Sequence, residues 1–338
     1  MFPGLEQSRA AWWPLPPQRT TRSGDERRLG VEIEFTGMDM PDIASSIAEL
    51  FGGDIQRGSD YEYTVANTEF GDFGIELDSA YIKRLGRERE KAGQPNEIEE
   101  LTESLVGLVA RQLVPFEIVA PPIAISQLWR LEDLFMDLRK QGAEGTQASA
   151  KNAFGLQLNP EMPDCEADTV LNYIRAFLCL YEWLIWRSPV DFSRRLTSYT
   201  DPFKRDYLRH VLDADYQPDI STLIDDYIRF NPTRNRALDL LPLFAHIDEE
   251  RLRAKIDDPR VKARPTLHYR LPNSLIGDPQ WGLIHPWRDW LQVEALAGDA
   301  PRLKAVCASY RNYLDSATSG LFSDWAQKIS PQLIPELL

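Results

Sequence analysis

The chain has 338 residues, 43% of them apolar and 27% charged, which is enough for one large domain or two modest ones. Its formal net charge of −14 argues against nucleic acid and anionic membrane surfaces as partners, because the phosphate term would be repulsive. The three cysteines form no CxxC and the four histidines no zinc spacing, so the cysteines read as small core or surface residues of a reducing compartment. No apolar run approaches a membrane span and the N-terminus has no basic-then-apolar leader pattern, which makes the cytoplasm the expected location.

In chain order, residues 1–28 read as a flexible tail: Pro3, Pro14, Pro16 and Pro17 rule out a continuous helix. Trp12 and Trp13 are expected to dock this tail on the domain that follows; a partner-binding peptide is the alternative. Residues 29–330 form that domain. It opens on Val31, Glu32, Ile33, Glu34 and Phe35, alternating with period two. As a strand, this stretch turns Val31, Ile33 and Phe35 to a core and sets Glu32 and Glu34 side by side, roughly 7 Å apart. Two carboxylates that close repel unless a cation lies between them. A solvated acidic edge strand is the alternative.

Residues 41–52 predict a helix with a first-turn proline and a Gly52, Gly53 stop. Residues 61–65 and 73–79 predict an antiparallel hairpin, its turn marked by Asn67 and Gly71, with Glu76 and Asp78 on one face of the second strand. Residues 83–96 read as a mobile charged loop and 96–113 as a helix. Glu117 is the lone charge of the apolar strand 116–119, which costs free energy unless the group is paired or metal-bound. A helix starts near Ser126 and ends at Gly142.

Residues 154–160 alternate again, with Gln157 and Asn159 opposite Phe154, Leu156 and Leu158. A long helix from 167 to about 186 opens a mostly helical insertion reaching about 260 and interrupted at 230–236. Residues 264–273 then read as a strand with His268 and Arg270 on one face. The rest, from about 284, reads as helices.

The early hairpin and the amphipathic strands favour an α+β fold over a doubly wound parallel sheet. Its expected form is a curved, largely antiparallel sheet with helices on the convex, apolar side and an open polar side. Glu32, Glu34, Glu76, Asp78, Glu117, Gln157, Asn159, His268 and Arg270 would share that polar side. Two or three Mg²⁺ ions would neutralise its carboxylates, and Arg270 with Arg264, Arg234 or Arg236 would hold phosphate oxygens. Metals bridging phosphates with fixed cations nearby are what phosphoryl transfer from ATP requires. Neither GxxxxGK[ST] nor GxGxxG occurs, which excludes P-loop and kinase-like sites.

Five stretches in this order resemble the amidoligase family: Gly30 to Phe35, Gly74 to Ser79, Phe116 to Pro122, Phe154 to Asn159, and Arg264 to Pro272. That family belongs to the glutamine synthetase and γ-glutamylcysteine synthetase superfamily of carboxylate–amine ligases. The resemblance implies a half-barrel sheet and ATP-dependent formation of an amide or isopeptide bond through an acyl phosphate, on an amino acid or peptide. It implies Glu32, Glu34, Glu76 and Glu117 as Mg²⁺ ligands and Arg270 as the phosphate-binding residue. Arg236 and Glu117 are further catalytic candidates, and Arg264, His268, Gln157 and Asn159 nucleotide-binding ones. Some relatives act beside a glutamine amidotransferase. The chain departs from the family at His268, where a Glu is common, and at Gln157, where many relatives carry a metal-binding His; His268 is the candidate to compensate as a ligand. The rival readings are a catalytically weakened binding or scaffold protein and a metal-dependent amide hydrolase.

Overall fold

A computed structural model describes residues 10–59, 61–77, 115–146, 154–188, 202–316 and 322–338. The chain begins with strand β1 (Arg28–Phe35), followed by helix α1 (Met40–Phe51) and by β2 (Asp54–Ser59), β3 (Glu62–Thr68) and β4 (Gly71–Leu77). Next come β5 (Phe116–Val119), β6 (Ile123–Ala124), a single 3₁₀ turn and α2 (Trp129–Gln141). Strand β7 (Leu156–Pro160) leads into α3 (Ala167–Arg187), α4 (Arg205–Val211) and α5 (Ile220–Phe230). After β8 (Leu238–Asp239), α6 (Leu241–Ile247), α7 (Glu249–Arg253) and β9 (His268–Tyr269), the chain ends in α8 (Ile284–Ala297), α9 (Ala300–Asp315) and α10 (Phe322–Ile329).

The strands make one sheet in the order β2-β3-β4-β5-β1-β7-β9-β8, with β6 beside β1, and the pairings are antiparallel. This is the expected α+β class. The period-two pattern explains the sheet's two sides. Val31, Ile33, Phe35, Phe73, Ile75, Phe116, Ile118, Leu156, Leu158 and Tyr269 are buried in one core with the helices. Helix α3 is apolar around most of its girth because it is enclosed: α8, α9 and α10 pack on it, and Phe177 meets Tyr269 of β9 with ring centres 5.9 Å apart.

Several local readings hold. Helix α1 starts at the cap Asp39, whose Oδ1 accepts from the amide of Asp42 at 3.0 Å, and Gly52 ends it at φ 72°. The β3–β4 turn carries Asn67 at φ 59° and Gly71 at φ 116°, the left-handed region those residue types tolerate. Gly142 closes α2 at φ 110°.

Others change. The helix expected from Ser126 begins as a 3₁₀ turn and becomes α-helical only at Trp129. The strand expected over 264–273 is regular only at His268–Tyr269, since Pro265 and Pro272 lack the N–H a ladder needs. β8 lies inside the region read as helical, and its two residues are too short to show a period. β2 is exposed along its whole length and so carries no apolar alternation to read.

The segment before β1 is docked at Trp13, Pro16 and Arg27. Trp13 is buried, while Trp12 is exposed. The Trp287 Nε1–H donates to the Pro14 carbonyl at 2.8 Å. Arg27 is buried against Glu294, with both terminal nitrogens within 3.0 Å of its carboxylate. Asp78 and the expected loop and helix at 83–113 lie outside the described residues. Among the described residues, no helix is long and apolar enough to cross a membrane.

Candidate functional site

Register decides which polar residues meet. Directly opposed residues of antiparallel strands share a face. Glu34 of β1 opposes Glu117 of β5, Glu117 opposes Glu76 of β4, and Glu76 opposes Glu62 of β3. The sequence thus sets four carboxylates in one row across adjacent strands, at the ordinary strand spacing of about 4.8 Å. Glu34 and Glu117 are half-buried and Glu76 is exposed. The Gly155 amide donates to Glu34 Oε2 at 2.7 Å, which anchors that carboxylate to the start of β7.

Two residues along β1, the chemistry changes. Glu32 opposes Gln157, and Gly30 opposes Asn159. Beyond β7, Leu158 opposes Tyr269 and Asp239 opposes His268. Arg270, His268, Gln157, Asn159 and Asp239 therefore stand on the face that carries Glu32, and a chain of hydrogen bonds joins them. Arg270 Nη1 donates to Gln157 Oε1. Gln157 Nε2 donates to Asn159 Oδ1 at 2.7 Å, and Asn159 Nδ2 donates to Glu32 Oε1 at 2.8 Å. At the other end, Arg270 Nη2 donates to Asp239 Oδ2 at 3.1 Å.

Asp239 is fully buried. Burial pushes its pKa up, while Arg270, the Leu241 amide and Arg234 act against that shift. Two guanidiniums face it, Arg270 directly and Arg234 at 3.9 Å.

His268 is buried and flanked by cations. Its Nδ1 lies 3.2 Å from Gln157 Nε2 and 3.4 Å from Arg270 Nη2. Both neighbours are donors, so Nδ1 accepts and the ring's proton sits on Nε2. Burial, then Arg270, Arg234 and Arg264, hold its pKa well below the ordinary value, which keeps the imidazole neutral. The Nε2–H is buried with no hydrogen-bond partner among the described residues.

These facts sort the sequence candidates. Glu34, Glu76 and Glu117 come together in the acidic row. Glu32 lies at its junction with the amide-and-cation network. Gln157 and Asn159 are buried in that network, so Gln157 offers its oxygen to Arg270. Arg264 is exposed but near enough to depress His268. One expectation needs correction. Arg236 does not stand on the polar face: its Nε donates to Asn231 at 2.9 Å and its guanidinium lies over the Phe203 ring, on the helix side of β8. His268 stands on the polar face with cations around it and its Nδ1 accepting from donors. The sequence reading did not place Asp239 on the polar face. The signal that singles out Glu117, a lone carboxylate in an apolar run, is equally present in Ala237 to Ala245.

Among the described residues, no three His, Cys, Asp or Glu side chains converge on one metal point. The carboxylates are spread along a row instead. That donor set fits Mg²⁺, which takes one or two carboxylates and fills its octahedron with water and phosphate oxygens. The orphaned Nε2–H of His268 fits an anionic oxygen. At the start of β1, near Arg28, a cavity of about 800 Å³ opens, and its lining carries more carboxylates (Asp25, Glu26, Glu161, Asp164 among them) than cations.

A family model described as "putative amidoligase enzyme" matches residues 25–292, from just before β1 through most of α8. No curated protein matches the chain.

Proposed function

The chain belongs to the amidoligase family, and from that membership we propose an ATP- and Mg²⁺-dependent carboxylate–amine ligase that forms an amide or isopeptide bond through an acyl phosphate, on an amino acid or peptide. Membership supports an amide-bond-forming ligase in general. The observation that carries the finer reading is the placement of the row Glu34, Glu117, Glu76 beside the network that fixes Arg270.

Glu34, Glu117 and Glu76, with Glu32 at the junction, would hold Mg²⁺, which when bound neutralises charge on phosphate oxygens. Arg270 is held at both terminal nitrogens before any ligand arrives. It therefore meets developing negative charge without reorganising, which is where a fixed cation has most effect. His268 donates from Nε2 as a neutral group, adding a hydrogen bond and no charge. The acidic cavity beside Arg28 suits the amine, which enters as an ammonium and has to lose a proton before it attacks.

The test is calorimetry of ATP binding, with and without Mg²⁺, on wild type and Glu34→Gln, followed by phosphate release in the presence of amino acids and short peptides. Mg²⁺-dependent binding lost in Glu34→Gln, with phosphate release that requires both an acid and an amine, is the expected result. Unchanged binding in the variant would remove the carboxylate row from the mechanism. Absence of ATP binding with any divalent ion would remove the ligase reading.

A further inference from the structure

Away from the polar face, Cys179 of α3 and Cys307 of α9 bring their sulfurs to 3.8 Å. Both are free thiols and both are buried. The sequence offers no hint of this contact, since 128 residues separate them. Helix α9 packs along α3, which puts the two thiols at van der Waals distance inside one helix interface.

The two sulfurs differ in character. Cys179 is fully enclosed, and burial pushes its thiol well above the ordinary value. Cys307 keeps 7% exposure. Its thiol is held below the ordinary value, first by the hydrogen bond from Cys179 and, against its burial, by the charge of Arg175. Arg175 is pinned close by: its Nε donates to the Val211 carbonyl, and one terminal nitrogen donates to those of Asp213 and Tyr216, all within 2.9 Å. A guanidinium whose charge favours the thiolate of the less completely buried cysteine, with a second thiol 3.8 Å away, is the arrangement of an attacking and a resolving cysteine.

We propose that Cys179 and Cys307 are a modification site, a dithiol that hydrogen peroxide converts to a reversible disulfide, with Cys307 as the sulfur attacked first. The Cys307 thiolate attacks one peroxide oxygen and the O–O bond breaks. Cys307 becomes a sulfenic acid, and the departing hydroxide takes a proton to become water. The Cys179 sulfur then attacks the sulfenic sulfur. The S–O bond breaks, and the second hydroxide leaves as water with the Cys179 proton. In sum, two thiols and one peroxide give one disulfide and two waters, and the two electrons pass from sulfur to peroxide. Closing the gap to the roughly 2.05 Å of a disulfide requires side-chain rotation at the helix interface.

Cys165 is an internal control. It is half-buried, and burial together with Asp164, Glu166 and Glu161 pushes its thiol up, so it is the poorer nucleophile.

The experiment is peroxide treatment of the full chain, alkylation of the remaining thiols, and mass spectrometry of intact protein and peptides. The expected result is the loss of two hydrogens, a crosslinked peptide containing Cys179 and Cys307, an alkylated Cys165, and full reversal by dithiothreitol. In Cys179→Ser, a sulfenic acid should accumulate at Cys307 and be trapped by a dicarbonyl probe. Two results would overturn the proposal: both thiols staying alkylatable at doses that oxidise Cys165, or Cys307 advancing to sulfinic acid in wild type with no crosslinked peptide. The wild-type measurement decides the question even if the variant does not fold.

Discussion

Arg270 donates from Nη1 to the amide oxygen of Gln157, and this contact sets the direction of every hydrogen bond from there to Glu32. With Oε1 taken by a guanidinium, Gln157 can present only Nε2 to Asn159 and His268. Asn159 must then accept with Oδ1 and donate with Nδ2 to Glu32. The glutamine at this position thus links the cationic end of the face to its acidic row. Gln157→Leu removes the acceptor from Arg270 and the donor from Asn159 together. Loss of one charge-assisted hydrogen bond is worth about 1.5–3 kcal/mol, so the kcat of ATP-dependent phosphate release is expected to fall by about 10- to 100-fold. Steady-state phosphate release measured beside ATP binding checks this. A loss confined to binding would mean that Gln157 acts in the ground state only.

Asp239 is the counter-charge of that cluster. It is fully buried and faces Arg270 at 3.1 Å and Arg234 at 3.9 Å. Removing one partner of a fully buried ion pair typically costs about 3–5 kcal/mol, and here the loss is expected to be smaller because the Arg270 and Arg234 side chains keep 17% and 23% exposure. Asp239→Asn keeps the shape and loses the charge, so it is expected to unfold at markedly lower urea concentration. Asp239→Leu should be no better, because both guanidiniums would remain. An unchanged midpoint in Asp239→Asn would show that Arg270 is held without this carboxylate.

His268 gives a pH dependence with a definite sign. Its folded pKa is depressed, by burial first and then by Arg270, Arg234 and Arg264. The unfolded chain therefore takes up a proton at this residue near its ordinary pKa of about 6.5, while the folded chain does not. Stability is unaffected by this group above that pH and falls as the pH drops below it, towards the depressed folded value. His268→Asn is expected to flatten the acid side of a stability-versus-pH curve from about pH 6.5 downward. Chemical unfolding at a series of pH values, variant against wild type, reads this directly. Parallel curves would mean that the imidazole protonates in the folded state.

Glu182, near the C-terminal end of α3, has the opposite sign. Burial pushes its pKa up to about 7, against the opposing effect of the Tyr310 hydroxyl, which donates to it at 3.3 Å. Below the ordinary carboxylate range both states are protonated, and no penalty exists. As pH rises through that range, the unfolded chain ionises first, so stability declines until the folded value is passed. Glu182→Gln is expected to be more stable than wild type at pH 8, by about 1 kcal/mol once solvent screening of a half-exposed group is discounted, and equal to it near pH 4. Urea unfolding at the two pH values tests it, and a variant less stable at pH 8 would contradict it.

What the sequence determined by itself was local. Alternation at Val31 to Phe35 and at Leu156 to Asn159 assigned each side chain to the core or to the polar face, because strand geometry fixes the period at two. Gly52 and Gly142 marked helix ends, Asn67 and Gly71 the hairpin, and Glu117 stood out as a lone charge among apolar neighbours. Tertiary structure decided the partners. That β1 lies between β5 and β7 is a long-range pairing, and it makes Glu34 oppose a carboxylate while Glu32 opposes an amide. β8 is too short to show a period, so nothing in the sequence set Asp239 opposite His268 or turned Arg236 towards Asn231 and Phe203. The contact of Cys179 with Cys307 was equally invisible, since it depends on how two helices far apart in the chain pack together. Periodicity is a property of a few consecutive residues, whereas register and helix packing come from burying one common core, and only the folded chain fixes them.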